Sequence, residues 1–178
     1  NQQITISQQS EQPWDGTTTI SVMPEKPAEF TLKLRIPGWV RNEVLPSDLY
    51  HYADNPSGDY SLTLNGKPVD GSIDAKGYLN LRREWKAGDR MDLSFPMQVR
   101  TIAAKDTLSD DRGKLALEYG PLVYCVEEID NPEIERMKIA PGISPEVEWK
   151  PDMLNGIAIL KDDDMLAVPY YAWSNRGI

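Results

Sequence analysis

The chain has 178 residues and carries 28 Asp and Glu against 19 Lys and Arg, a formal net charge of −9. One Cys excludes an intrachain disulfide framework and any multi-Cys zinc site, and one His excludes a His-rich metal cluster. The acidic balance, with no basic run, argues against a nucleic-acid partner, and no apolar run is long enough to cross a membrane as a helix.

Residues 1–12 lack the basic and apolar regions of a signal peptide. Ile4 and Ile6 already alternate with Thr5 and Ser7, so the chain is expected to begin inside a strand of something larger. Phe30, Leu32, Leu34 and Ile36 then alternate with Thr31, Lys33 and Arg35. Residues 41–59 are polar, with Pro, Gly and Asp, and read as a long surface loop. Tyr60, Leu62 and Leu64 form the next alternating run. Asn65-Gly66 follows, a hairpin signal because both residues tolerate positive φ. Leu79 and Leu81 alternate with Asn80 and Arg82, residues 86–89 read as a turn, and Met91, Leu93, Phe95 and Met97 alternate with polar neighbours.

Charge rises and Leu108 is the one apolar residue over 105–113, which places a domain boundary near 104–113. Residues 114–127 read as a buried strand broken at Gly120-Pro121 and resumed. Residues 130–137 have the Pro and early acids of one or two helical turns. Fourteen prolines oppose longer helices. Residues 167–173 are apolar and aromatic, and the chain stops soon after them, which reads as a cut fragment.

Strands that bury one face and wet the other give an all-β fold, an antiparallel β-sandwich. It is expected to be jelly-roll-like over residues 1–104, with Phe30, Leu32, Leu34, Ile36, Leu62, Leu64, Leu93 and Phe95 inward. Residues 105–178 are expected to form a second, smaller, strand-rich unit that is incomplete.

The motifs name little chemistry. There is no Gly-rich phosphate loop, GxSxG, HExxH or CxxC. The Asn55-Pro56-Ser57 triplet has Pro at the position that blocks glycosylation. Cys125 lies in a run apolar on both faces and reads as a packing residue, because a reactive thiolate needs a cationic, partly exposed setting. His51 reads as a solvated loop residue. The acidic clusters Asp110-Asp111, Glu127-Glu128, Glu133/Glu135 and Asp162-Asp163-Asp164 read mostly as solvated loops, since strand neighbours point to opposite faces. No catalytic, cofactor or metal residue is assigned. Of the five tryptophans, Trp39 and Trp85 suit edges of a core, whereas Trp14 and Trp149 are the candidates for stacking on a sugar.

Several motifs in order carry a resemblance. They are Pro13-Trp14-Asp15-Gly16, Leu34-Arg35-Ile36-Pro37-Gly38-Trp39, Leu64-Asn65-Gly66, Gly77-Tyr78 and Arg83-Glu84-Trp85-Lys86-Ala87-Gly88-Asp89. Phe95-Pro96-Met97, then Glu118-Tyr119-Gly120-Pro121-Leu122-Val123-Tyr124-Cys125 and Val168-Pro169-Tyr170-Tyr171-Ala172-Trp173-Ser174-Asn175-Arg176-Gly177, complete the set. Over residues 12–177 the chain resembles the C-terminal, non-catalytic region of glycoside hydrolase family 127, the β-L-arabinofuranosidase family.

The resemblance implies a larger parent with an N-terminal catalytic (α/α)6 barrel, whose zinc is held by several Cys and a Glu, one Cys being the nucleophile. None of those residues transfers here; Cys125 matches a different strand, so no cofactor is expected on this chain. The implied partner is the barrel. A region lifted from it is expected to expose an apolar docking patch, through which a homo-oligomer would also form. The implied plant-type glycan substrates favour a periplasmic or extracellular location. Two departures stand out: the chain stops where relatives continue into a final strand, and the link from Leu160 to Met165 looks short. Three readings remain: an accessory region of a glycosidase, a carbohydrate-binding module using exposed Trp or Tyr, and a purely structural sandwich.

Overall fold

The structure is a computed structural model that describes residues 2–54 and 58–176. Residues 55–57, with the blocked glycosylation triplet, and Gly177 of the last motif lie outside the described residues. The chain divides into two compact units, one built from residues 1–41 and 57–96 and the other from 42–56 and 97–178.

The first unit contains β1 (Ile4–Ser10), β2 (Thr17–Pro24), β3 (Ala28–Arg35), β5 (Ser61–Leu64), β6 (Lys67–Pro68), β7 (Tyr78–Trp85) and β8 (Asp89–Ser94), while β4 (Tyr50–Tyr52) belongs to the other unit. Five strands form one antiparallel sheet in the order β1-β2-β8-β5-β6, and β3 and β7 form a two-stranded sheet. Alternation puts every second side chain inward. Ile20, Val22, Leu62, Leu64, Met91 and Leu93 from the larger sheet meet Leu34, Leu79, Leu81 and Trp85 from the smaller one in a single core. Phe30, Leu32, Ile36 and Phe95 join it, so all eight residues expected inward are there.

Trp85 is fully buried, and its indole N–H donates to the Phe30 carbonyl at 3.1 Å, which satisfies the one polar atom that burial would otherwise strand. Asn65 and Gly66 have φ of 51° and 76° and join β5 to β6, with Leu64 opposite Lys67. That is the positive-φ pair a two-residue hairpin requires. The turn at residues 86–89 is closed by the Asp89 carboxylate, which accepts the Lys86 amide at 2.9 Å and the Asn65 side chain at 2.8 Å. Two strands cannot cover five: all seven residues of the edge strand β1 are exposed, Ile6 by 49%.

The second unit is one antiparallel sheet of seven strands. It holds β4 with β9 (Val99–Ala104), β10 (Leu115–Tyr119), β11 (Leu122–Val126), β12 (Glu146–Lys150), β13 (Ile157–Asp162) and β14 (Met165–Pro169), in the order β12-β13-β14-β11-β10-β9-β4. Leu117, Tyr124, Leu160, Met165 and Ala167 form a core on one face, covered by Met137, Ile139 and Ile143 from the segment between β11 and β12. Residues 157–160 of β13 are buried on both faces, as expected of an interior strand.

Several expectations meet their outcome here. The first unit ends at Pro96, not residue 104, because β9 bonds to β10 and β4 rather than to the sandwich. Residues 41–59 are not simply a loop: β4 lies within them and closes the edge of the larger sheet, so the second unit is not the smaller one. Gly120-Pro121 does not interrupt one strand; Gly120 at φ 56° turns the chain, and β10 and β11 pair antiparallel. The Leu160–Met165 link is short, as it looks in the sequence: it is a tight hairpin, with Asp162 opposite Met165 and Asp163-Asp164 at its tip. Of the helix at 130–137, only a 3-10 turn over Ile134–Arg136 forms.

Candidate functional site

Register fixes which residues share a face of the second unit's sheet. His51 pairs with Ala103, Ala103 with Leu115, and Leu117 with Tyr124, so His51 lies on the face of Tyr124. Cys125, one residue on, points to the opposite face. The only imidazole and the only thiol therefore lie on opposite faces of one sheet. Cys125 is half-buried rather than fully buried; burial first, and the Glu127 carboxylate second, push its thiol above the usual range. That is the reverse of nucleophile activation.

The strongest electrostatics lie on the face of Cys125, where Arg100 of β9 stands across from Glu118 of β10. The Arg100 guanidinium is 5% exposed. It donates to Asp54 at 3.1 Å through two nitrogens and to the Asn42 side chain at 2.7 Å. Its Cζ sits 3.4 Å from the centroid of the Tyr52 ring, whose hydroxyl donates to Glu118 at 2.7 Å. The second Asp54 oxygen accepts the Thr101 amide at 2.6 Å. Burial pushes the Glu118 carboxyl up, with the Tyr52 hydrogen bond opposing, and burial likewise raises the Tyr52 phenol. Each polar group is engaged with another of the chain's own groups. The cluster holds residues 42–54 on the sheet.

A second cluster ties the end of the described chain to the turn after β11. The buried Glu127 accepts the Ser174 amide at 2.6 Å and an ion pair from Arg176, which also pairs with Asp130. Arg176 first, then the Ser174 amide against burial, holds the Glu127 carboxyl below the usual range. In the same turn Asn131 is buried: it donates to the Glu127 and Leu166 carbonyls at 2.8 and 2.9 Å and accepts the Leu166 amide at 2.9 Å. A cleft of about 790 Å³ opens beside it, with Met137, Ile139 and Ile143 inside and Glu133, Lys138 and Asp162–Asp164 around it. Glu133 is already paired with Arg136 at 2.9 Å.

The candidate sugar contacts fall in different units. Trp14 is half-buried in the turn before β2, in the first unit. Trp149 of β12, in the second, is 49% exposed, and its indole lies over Gly156. Trp39 meets Phe95 edge-on at 5.7 Å, a core-edge position as expected. The most exposed aromatics are others: Tyr170, Tyr171 and Trp173, at 59%, 60% and 59%. The available signal was the density of aromatic residues in Tyr170-Tyr171-Ala172-Trp173, three of them in four positions.

Residues 1–97 match the family description "Beta-L-arabinofuranosidase, GH127 middle domain", and residues 99–178 match "Glycoside hydrolase family 127 C-terminal domain". The chain belongs to glycoside hydrolase family 127. The junction of its two family-127 domains coincides with the division seen in the fold after Pro96. A non-reducing end β-L-arabinofuranosidase of Bifidobacterium longum is 31% identical over 98% of the chain and 29% of its own length. A solved family-127 β-arabinofuranosidase is 36% identical with a TM-score of 0.81, matched over 99% of this chain and 30% of that one. A family-127 β-L-arabinofuranosidase from Geobacillus stearothermophilus T6 is 34% identical with a TM-score of 0.82, over 99% and 29%. The chain thus spans under a third of these glycoside hydrolases.

The zinc–thiolate centre implied for the family can be tested against the residues present. Among the described residues no three of His, Cys, Asp and Glu come together to hold a metal ion. The single thiol has its pKa raised and stands on the face opposite His51. The group does not fit this region.

Proposed function

We propose that this chain is the accessory β-sandwich region of a family-127 glycoside hydrolase acting on β-L-arabinofuranosides, and is not an enzyme by itself. Hydrolysis, and the zinc that the family resemblance implies, belong to the catalytic barrel. This region supports that barrel and its contacts. The observation that carries the reading is the match of the whole chain to the family's middle and C-terminal domains, within relatives more than three times its length. The polar clusters support it chemically. General acid–base hydrolysis of a glycoside needs two carboxyl groups facing a substrate, and the buried acids Glu118 and Glu127 are each bound to the chain's own donors.

The test is direct. This polypeptide, incubated with zinc, reductant and an aryl β-L-arabinofuranoside, should give no turnover, whereas the polypeptide joining it to its catalytic portion should hydrolyse the substrate. Turnover by the isolated chain refutes the proposal. So does failure of the longer polypeptide to cleave any arabinofuranoside.

A further inference from the structure

We propose that Asn155 is a self-modification site, at which the chain converts its own side-chain amide to an isoaspartyl linkage through a cyclic succinimide, while the fold holds the same tripeptide intact elsewhere. The sequence contains Leu-Asn-Gly twice, at Leu64-Asn65-Gly66 and at Leu154-Asn155-Gly156. A glycine after asparagine carries no Cβ, so its backbone nitrogen is open to approach the side-chain carbonyl carbon. The two tripeptides are chemically alike. Their surroundings separate them.

Asn65 is held at both ends of its side-chain amide. Its Nδ2 donates to Asp89 at 2.8 Å, and its Oδ1 accepts the Arg90 amide at 2.9 Å. Its own backbone amide donates to the Arg90 carbonyl at 2.8 Å. Turning its carbonyl carbon toward Gly66 breaks the two side-chain bonds. Asn155 is exposed, and no hydrogen bond holds its side chain among the described residues. Leu154 and Asn155 have φ of 51° and 66°, and a leucine pays for that conformation. The Gly156 amide makes a single bond within the turn, to the Met153 carbonyl at 2.8 Å. Local opening of the exposed turn frees that nitrogen.

The freed Gly156 nitrogen gives its proton to hydroxide and forms a bond to Cγ of Asn155, and the side-chain nitrogen leaves as ammonia. Water then opens the succinimide. Breaking the bond from Cγ to the Gly156 nitrogen gives aspartate. Breaking the bond from the Asn155 main-chain carbonyl carbon to that nitrogen gives isoaspartate, in which the chain runs through Cβ and Cγ and is one bond longer. Gly156 has little room to shift, since a Cβ there would stand 2.7 Å from Cζ2 of Trp149. The next residue, Ile157, is 1% exposed and pairs with Lys150 at the start of β13. The conversion therefore loosens the β12–β13 hairpin and displaces the indole.

Peptide mapping by mass spectrometry, during incubation of the chain at mildly alkaline pH, tests this. The Asn155 peptide should convert roughly tenfold faster than the Asn65 peptide, the ratio expected from two side-chain hydrogen bonds, and isoaspartate should be among its products. In urea the two rates should converge, because the tripeptides are the same. Equal rates in the folded protein overturn the proposal, as does a faster Asn65 or a product that is aspartate alone. A rate ratio that persists in urea also overturns it, since the fold is then not the cause. Asn155→Gly keeps the positive φ and removes the amide. As the parent chain ages its Tm should fall and its tryptophan emission shift to the red, and Asn155→Gly should do neither. The same drift in that variant overturns the link between Asn155 and the hairpin.

Discussion

The guanidinium of Arg100 lies over the ring of Tyr52, with Cζ 3.4 Å from the ring centroid, while the Tyr52 hydroxyl reaches across β9 to Glu118 of β10. This contact ties residues 42–54 of the second unit to β9 and β10 of its sheet. Arg suits the position because a planar guanidinium stacks on a ring and donates in its own plane at once.

Arg100→Met removes the cation and leaves Asp54 and Glu118 uncompensated. Loss of one partner of a buried pair costs about 3–5 kcal/mol. Urea unfolding should show that loss in the second unit. The Ala53 amide, which donates to the Thr101 carbonyl at 2.9 Å, should exchange faster as β4 detaches. Arg100→Lys should recover only part of the stability, because an ammonium cannot reproduce the fork.

Two carboxyls give opposite pH dependence. Glu127 is depressed below its ordinary 4.5, so its contribution is present above that value and lost as pH falls through its folded value. Glu118 is raised, so its contribution is complete below 4.5 and lost as pH rises through its folded value. The Tm deficit of Glu127→Gln should therefore shrink toward acid pH. Glu118→Gln should be least harmful, relative to the parent, at neutral pH. Parallel Tm–pH curves for all three proteins would contradict both assignments.

Gly156 and Gly66 form a matched pair. Both have positive φ, 99° and 76°, but a Cβ on Gly156 would stand 2.7 Å from Cζ2 of Trp149, whereas nothing lies within 4 Å at Gly66. Gly66→Ala should cost only the backbone term, roughly 1 kcal/mol. Gly156→Ala should cost about 1–3 kcal/mol and also push the indole outward, seen as a red shift of tryptophan emission.

Asn131→Ala strips three hydrogen bonds from the turn after β11 and leaves the Leu166 amide without its acceptor. A stranded buried donor costs about 1–3 kcal/mol. Asn131→Asp should also destabilise, because a carboxylate offers no N–H to the Glu127 and Leu166 carbonyls. Chemical denaturation of both variants would check this.

The strands of the first unit were legible because their period-2 pattern is local. Leu32 and Leu34 alternate with charged or polar residues, and one such strand predicts its own buried face. The hairpin at Asn65-Gly66 was legible for the same reason, since its positive φ angles are properties of those two residues. The role of residues 42–56 was not. Tyr50, His51 and Tyr52 form a strand only because β9 offers an open edge, and that edge is some 50 positions away in the chain. Glu118 left a faint mark, a carboxyl inside an apolar strand, but its partner Arg100 became visible only through the register of β9 and β10.

As candidates for stacking on a sugar, Trp14 and Trp149 stand out by residue type alone. Exposure, which determines whether a ring can meet a ligand, depends on what packs against it. Trp149 is half-covered over Gly156, while Tyr170 and Trp173 stand open.

The sequence by itself determined the all-β class, the family resemblance and a cysteine count of one, against the several thiols of the implied zinc centre. These follow from residue type, local period and short motifs in order. Only the tertiary structure decided where one unit ends, that Cys125 and His51 face opposite ways, and that a clamped turn presents three aromatic rings to solvent. Those depend on pairing between distant strands and on which side chains bury which others, and neither is written in any one stretch of chain.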